Sequence, residues 1–105
     1  MSAMSRTKGQ VGEREVCALL REMTGKDYAR NLDQTRDSGG DILAGRYLLE
    51  VKRQEVLKID AWWDQACCSA DDANKEPVIV FRRSRQPWRV VISLTEFVRL
   101  AREEL

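Results

Sequence analysis

The sequence contains no histidine. That single absence excludes His-ligated zinc sites, Ser-His-Asp triads and Cys-His nucleophiles. Chemistry in this chain has to run on carboxylates, lysine, arginine or a hard cation bound through oxygen. Cysteine is scarce: Cys17, Cys67 and Cys68 are odd in number, two are adjacent, and none fits a C-x-x-C spacing. They read as reduced thiols inside a cell and not as a disulfide framework. Long apolar runs are also missing, and none approaches the roughly 18 to 20 residues that span a bilayer. Met1 to Gly12 is polar and basic, without the apolar centre of a secretory signal. The expectation is an intracellular, cytoplasmic protein.

What is present bounds the rest. With 105 residues, 43% hydrophobic and 33% charged, the chain reads as one compact globular domain over residues 1–105. Its core has to be small, and dimerisation would relieve that shortage. The net charge of +1 says little about partners, but its distribution says more. From Pro77 to Thr95 stand Arg82, Arg83, Arg85 and Arg89 with no acidic residue, and Arg6 and Lys8 form a second basic set near the start. Taken alone, each cluster reads as a solvated charged face.

Periodicity predicts a helix over residues 10–24, with Val16, Cys17, Leu20 and Met23 at helical spacing and Gly25 placed to end it. An extended segment over 27–34 and a loop over 36–40 follow. Two short apolar runs, Asp41 to Ala44 and Tyr47 to Lys52, flank Gly45-Arg46, the signature of a type II′ hairpin. A second helix is expected from Leu57 to about Asn74, with Ile59, Trp63, Ala66, Cys67 and Ala70 on its buried stripe. Pro77 stops continuation, Val78 to Phe81 reads as a buried strand, Trp88 to Ile92 as another, and Leu94 to Glu104 as a last helix. The order is α-β-β-β-α-β-β-α, an α/β fold with a mixed sheet flanked by helices.

The hairpin concentrates the chemistry. With Gly45 and Arg46 as the turn, Ala44 faces Tyr47 and Asp41 lies directly opposite Glu50. Paired residues share a face, and Lys52, two positions beyond Glu50, shares it too. Ile42, Leu49 and Val51 fall on the other face and should be core. Two carboxylates directly across a strand pair are destabilising, so something has to neutralise them. Lys52 as a structural counter-ion is one solution, a surface ion cluster of small worth. A divalent cation between the carboxylates is the other. Glu13 favours the cation. A carboxylate early in a helix suits the helix dipole, yet Glu13 continues the core-facing row of Val16, Cys17 and Leu20, where it is costly without a partner.

Gly12-Glu13 on the first helix, Gly40-Asp41 opening a strand, and Glu50-Val51-Lys52 on the next resemble the PD-(D/E)XK nuclease superfamily. The likeness is to its small members, archaeal-type Holliday junction resolvases and VRR-NUC-like phage nucleases. It covers roughly residues 8–66, and Gly40 stands where the family name has proline. The resemblance implies a restriction-endonuclease-like core and Mg²⁺-dependent phosphodiester hydrolysis, with Mn²⁺ able to substitute, in a prokaryotic or phage-encoded protein. It implies Glu13, Asp41, Glu50 and Lys52 as catalytic residues. Asp41, Glu50 and the Val51 backbone carbonyl would hold the metal, with Glu13 supporting it. Lys52 would orient the attacking water or stabilise charge on the phosphate. Gln65 is an accessory candidate or a solvent-facing polar residue.

Arg6, Lys8, Arg36, Arg53, Lys58, Arg82, Arg83 and Arg85 then become candidates for DNA phosphate contacts, which position the backbone and do not read sequence. A bare core of this size lacks elements for base recognition, which favours structure-directed cutting of branched DNA. A resolvase-like homodimer is the leading expectation, with Trp62, Trp88 and Phe97 as interface candidates that read equally well as core. A flap or nicking nuclease is the alternative. A non-catalytic DNA-binding subunit that keeps the nuclease fold is the reading from another class, and a small interaction protein without nucleic acid is the last.

Overall fold

A computed structural model describes residues 3–30 and 40–105, with side chains from Gln10 onward. The expected extended tail of 31–34, the loop before Gly40 and the candidate Arg36 lie outside the described residues, as do the side chains of Arg6 and Lys8. The order is α1 (Ala3–Thr24), β1 (Ala29–Arg30), β2 (Gly40–Ala44), β3 (Tyr47–Arg53), α2 (Ile59–Ala73), β4 (Glu76–Arg82), β5 (Arg89–Val91) and α3 (Leu94–Leu100), closed by a 3₁₀ turn, Arg102–Glu104. One mixed sheet carries the strands in the order β1-β2-β3-β4-β5. All pairs are antiparallel except β3 with β4, which run parallel and need the α2 crossover to join them. The predicted α/β architecture and element order are those of the protein.

The tight hairpin sets the register. Gly45 takes φ +61° while Arg46 stays out of the left-handed region, as the first and second central residues of a type II′ turn require. Ala44 pairs with Tyr47, Ile42 with Leu49 and Asp41 with Glu50. Strand alternation then divides the sheet into two faces. One carries Ile42, Leu49, Val51, Val78 and Val80, which pack on Val16 of α1. The other carries Ile79 and Phe81, covered by Trp62 and Ala66 of α2, with the Trp62 and Phe81 rings 6.1 Å apart.

Three expectations need correction. First, α1 begins at Ala3, well before residue 10. Glu13 therefore sits in the middle of the helix, where a first-turn dipole cannot explain it. Second, the row of α2 buried against the sheet is Trp62, Ala66 and Ala70, one position off the expected start at Ile59 and Trp63. Trp62 is thus core and not an interface residue. Third, β4 includes Pro77. The missing N–H is tolerated because β5 pairs only with Ile79 to Phe81, leaving β4 an edge on that side near Pro77. The last helix also ends earlier than expected, its final turn tightening to 3₁₀.

Helix ends follow their local chemistry. Gly25 takes φ +75° and returns its N–H to the Arg21 carbonyl, a left-handed stop that glycine supplies without strain. Ser93 caps α3 by accepting the Glu96 N–H at 3.1 Å. The Glu96 side chain is committed elsewhere: it accepts from Tyr47 Oη and from Arg99 and is only 4% exposed. This polar knot ties α3 to the start of β3.

Gly12 lets α1 approach β3 closely. A Cβ there would sit 3.0 Å from Arg53 Cβ, 3.4 Å from Val51 Cγ1 and 3.5 Å from the Trp88 ring. Gly12→Leu is expected to destabilise the fold by about 1–3 kcal/mol through overpacking, read as a lower urea midpoint with unchanged m-value.

The Arg99 hydrogen bond, followed by that from Tyr47, holds the Glu96 carboxyl at about 2, against an ordinary 4.5. The folded value lies below the unfolded one, so this stabilisation is complete above about 4.5 and is lost as pH falls toward 2. Glu96→Gln is expected to lower stability at neutral pH and to flatten its dependence across that acid window, measured by denaturant titration at stepped pH.

Candidate active site

The β2–β3 hairpin places Asp41, Glu50 and Lys52 on the α2 face, because Glu50 pairs with Ile79 and Lys52 with Phe81. They do not form a surface ion cluster. Asp41 is 3% exposed, Glu50 0% and Lys52 1%. Burying ions this completely costs several kcal/mol each unless partners repay it. Lys52 Nζ donates to Gln65 Oε1 at 2.9 Å, so Gln65 of α2 is turned toward the site and is not a solvent-facing residue. Asp41 Oδ1 is buried without a hydrogen-bond partner among the described residues. A carboxylate oxygen in that condition, opposite a second buried carboxylate, has the donor chemistry a hard divalent cation takes. The residues present fit such an ion. The Val51 carbonyl belongs to the strand that carries Glu50.

Glu13 is buried, at 6% exposed, as its row predicted. It meets the other face, however. Its Oε1 accepts from Arg30 Nε at 2.5 Å, and Arg30 pairs with Ile42, whose side chain lies on the α1 side. Among the described residues, no three acidic or cysteine side chains converge closely enough to hold a metal by themselves. The structure therefore brings Asp41, Glu50, Lys52 and Gln65 together and gives Glu13 a cation of its own. Arg30 escaped the sequence reading, although a buried glutamate demanded a partner and Arg30 stood in the expected extended segment.

The basic candidates separate in the same way. Since β3 and β4 are parallel, the loop 83–88 after β4 lies at the Lys52 end of the sheet. Glu55 fastens it there, accepting from Arg53 at 2.7 Å and from the Ser84 backbone N–H at 3.1 Å. The Arg53 bond, then those from Ser84, holds the Glu55 carboxyl at about 2. Arg53 is thereby occupied. Arg82 is occupied too, paired with Glu15 at 3.2 Å and stacked on Trp88 at 5.5 Å. Trp88 donates to the same carboxylate and is half-buried against the α1-side core. Lys58, Arg83 and Arg85 are exposed. Arg89 is exposed over the Phe81 ring at 4.8 Å, on the same face as Lys52. The three cysteines are free. No helix among the described residues is long and apolar enough to cross a membrane.

A five-stranded mixed sheet between helices, with an aspartate facing a Glu-x-Lys strand, defines the restriction-endonuclease-like core of the PD-(D/E)XK superfamily. The chain belongs to a family within it: the family model described as "Phage putative PDDEXK endonuclease" matches residues 4–104, and that membership places the protein among the nucleases. Protein D14 of Escherichia phage T5 is similar, at 26% identity over 120 aligned residues, covering 91% of this chain and 75% of that protein. No solved structure matches significantly.

Two buried carboxylates facing each other strain the fold when no cation lies between them. In metal-free buffer, Asp41→Asn is expected to raise the melting temperature by roughly 4–8 °C, the equivalent of about 1 kcal/mol in a domain of this size. Mn²⁺ is expected to raise the melting temperature of the unaltered protein and to leave that of Asp41→Asn unmoved.

Proposed function

We propose that the protein is a divalent-metal-dependent, structure-directed DNA endonuclease, resolvase-like in acting on branched DNA as a homodimer. The observation that carries the reading is the buried Asp41–Glu50 pair with Lys52 beside it, because nothing in the stability of a small sheet accounts for it. Asp41 and Glu50, with the Val51 carbonyl, hold Mg²⁺, for which Mn²⁺ substitutes. When bound, the ion lowers the pKa of its water and stabilises negative charge on the phosphate. Lys52 presents its ammonium to the attacking water or to a non-bridging phosphate oxygen, where charge develops in the transition state. Gln65 positions Lys52 by accepting a hydrogen bond from its ammonium. The exposed Lys58, Arg83 and Arg85 contact neighbouring phosphates and fix the backbone without reading bases. Glu13 supports the site through α1 and Arg30, and not as a metal ligand.

Family membership supports cleavage without supplying the substrate's shape. The test is a labelled panel of four-way junction, flap, bubble, linear duplex and single strand, incubated with Mg²⁺, Mn²⁺ or EDTA. Paired symmetric cuts in the junction, abolished by EDTA and lowered on the order of 10²-fold or more by Lys52→Ala, are the expected result. Metal-dependent cutting with a preference for flaps or nicks replaces the resolvase-like reading with the flap-nuclease one. Binding of branched DNA without any cutting overturns catalysis and leaves a DNA-binding subunit with a nuclease fold.

A further inference from the structure

The attachment of α3 is inverted. Helices on a sheet normally turn an apolar stripe inward. Here the buried residue is Glu96, held by Tyr47 and Arg99, while Val98 is half-buried and the other three apolar residues face water. Leu94 is 76% exposed, Phe97 48% and Leu100 58%. At about 100° per residue they cover an arc of roughly 120° on the helix. Val90 of the adjoining strand β5 is 57% exposed as well.

These four residues leave on the order of 400 Å² of apolar surface in water. One partner in a typical homodimer interface buries about 800 Å², some two thirds of it apolar, so this face supplies most of what a self-association needs. The surface around it also suits a second copy. Arg102 lies beside Glu103 and Glu104, so the rim carries both signs, and a two-fold axis sets no block of like charge against itself. β5 is the terminal strand of the sheet, and among the described residues no strand pairs with its outer edge. That edge can accept an antiparallel copy of itself.

We propose that the outer face of α3, with the free edge of β5, is the contact between two copies of this chain related by a two-fold axis. The inference rests on the homodimer of the proposed function and supplies its contact. It is separable from the catalytic reading, since none of its residues belongs to the Asp41–Glu50–Lys52 site and its test reads mass and not cleavage. Of the residues expected from sequence to mediate pairing, it retains Phe97 alone.

The test is sedimentation equilibrium on the full chain at micromolar concentration. The unaltered protein is expected at twice its 12.1 kDa chain mass, and Leu94→Glu with Phe97→Asp at the single mass. The double variant is expected to keep its circular dichroism and to raise the dissociation constant by roughly 30-fold or more, as loss of an interface anchor does. Met23→Glu, exposed at the far end of α1, is expected to remain dimeric. A dimer that survives the double substitution overturns the assignment of the face. A monomeric unaltered protein overturns the proposal outright, and the face then serves some other partner. Hydrogen exchange on the unaltered protein covers the case of a misfolded variant. Protection of the Arg89 to Val91 and α3 amides should fall on dilution, and protection independent of concentration counts against the interface.

Discussion

Everything else in the molecule is arranged around two carboxylates that cannot comfortably be neighbours. Asp41 and Glu50 face each other across an antiparallel pair and are almost wholly withdrawn from water. In low dielectric their repulsion is large, and each also loses its hydration. A small sheet can carry such a pair only if the strands are fixed from outside it. The type II′ turn fixes the register at one end. On one face, α1 seals Ile42, Leu49 and Val51 through Val16, and on the other α2 lays Trp62 and Ala66 on Ile79 and Phe81. A slip of one residue would turn the carboxylates into the α1 core and the aliphatics onto the α2 side.

Charge is compensated face by face. On the α2 side Lys52 accompanies the carboxylates and is steadied by Gln65. On the α1 side Glu13 meets Arg30, and Glu15 meets Arg82 and Trp88. At the far end Glu96 meets Tyr47, Arg99 and Arg46. Each buried acid except those of the hairpin has an arginine at hand. Arginine suits that duty because its planar, weakly hydrated fork loses less on burial than an ammonium does. Lys52, a compact and adjustable charge on the same strand face, accompanies Asp41 and Glu50 among the described residues.

The hairpin was legible in the sequence because its rules are local. Gly45-Arg46 fixes the turn, the turn fixes the pairing, and period-2 alternation assigns the faces. The element order was legible for the same reason. What escaped depends on contacts between distant segments. The start of α1 was obscured because residues 3–9 lack an apolar period in the sequence. On α2 the expected Ala66 and Ala70 are buried, and Ile59 and Trp63 pack half-buried beside them. Trp62 was missed because it and Trp63 are equally apolar, and Phe81 decides between them by packing on the first. That Glu13 would be buried followed from its row. That it would lie on the far face from Asp41 did not, since a helix stripe says nothing of which side of a sheet it covers. Glu96 gave no signal beyond its place three residues after Ser93, and there the structure uses the Ser93 hydroxyl and the Glu96 N–H while the Glu96 carboxylate turns to Tyr47 and Arg99.

The inverted attachment of α3 follows from the shortage of core that limits any chain of this size. Burying Leu94, Phe97 and Leu100 against the sheet would have required more sheet than five strands, two of them short, provide. Fastening the helix by a charged and hydrogen-bonded knot needs little apolar area, because bonds to charged groups contribute more than neutral ones. It leaves the apolar stripe available outside. In the proposed dimer, apolar burial from a second copy would offset the unfavourable charge that the hairpin keeps. The two demands do not compete, since the knot is fastened at Tyr47, three residues before Glu50 along β3, and uses none of the hairpin's carboxylates. Self-association of that kind would stabilise the fold without relaxing the geometry of the Asp41–Glu50 pair.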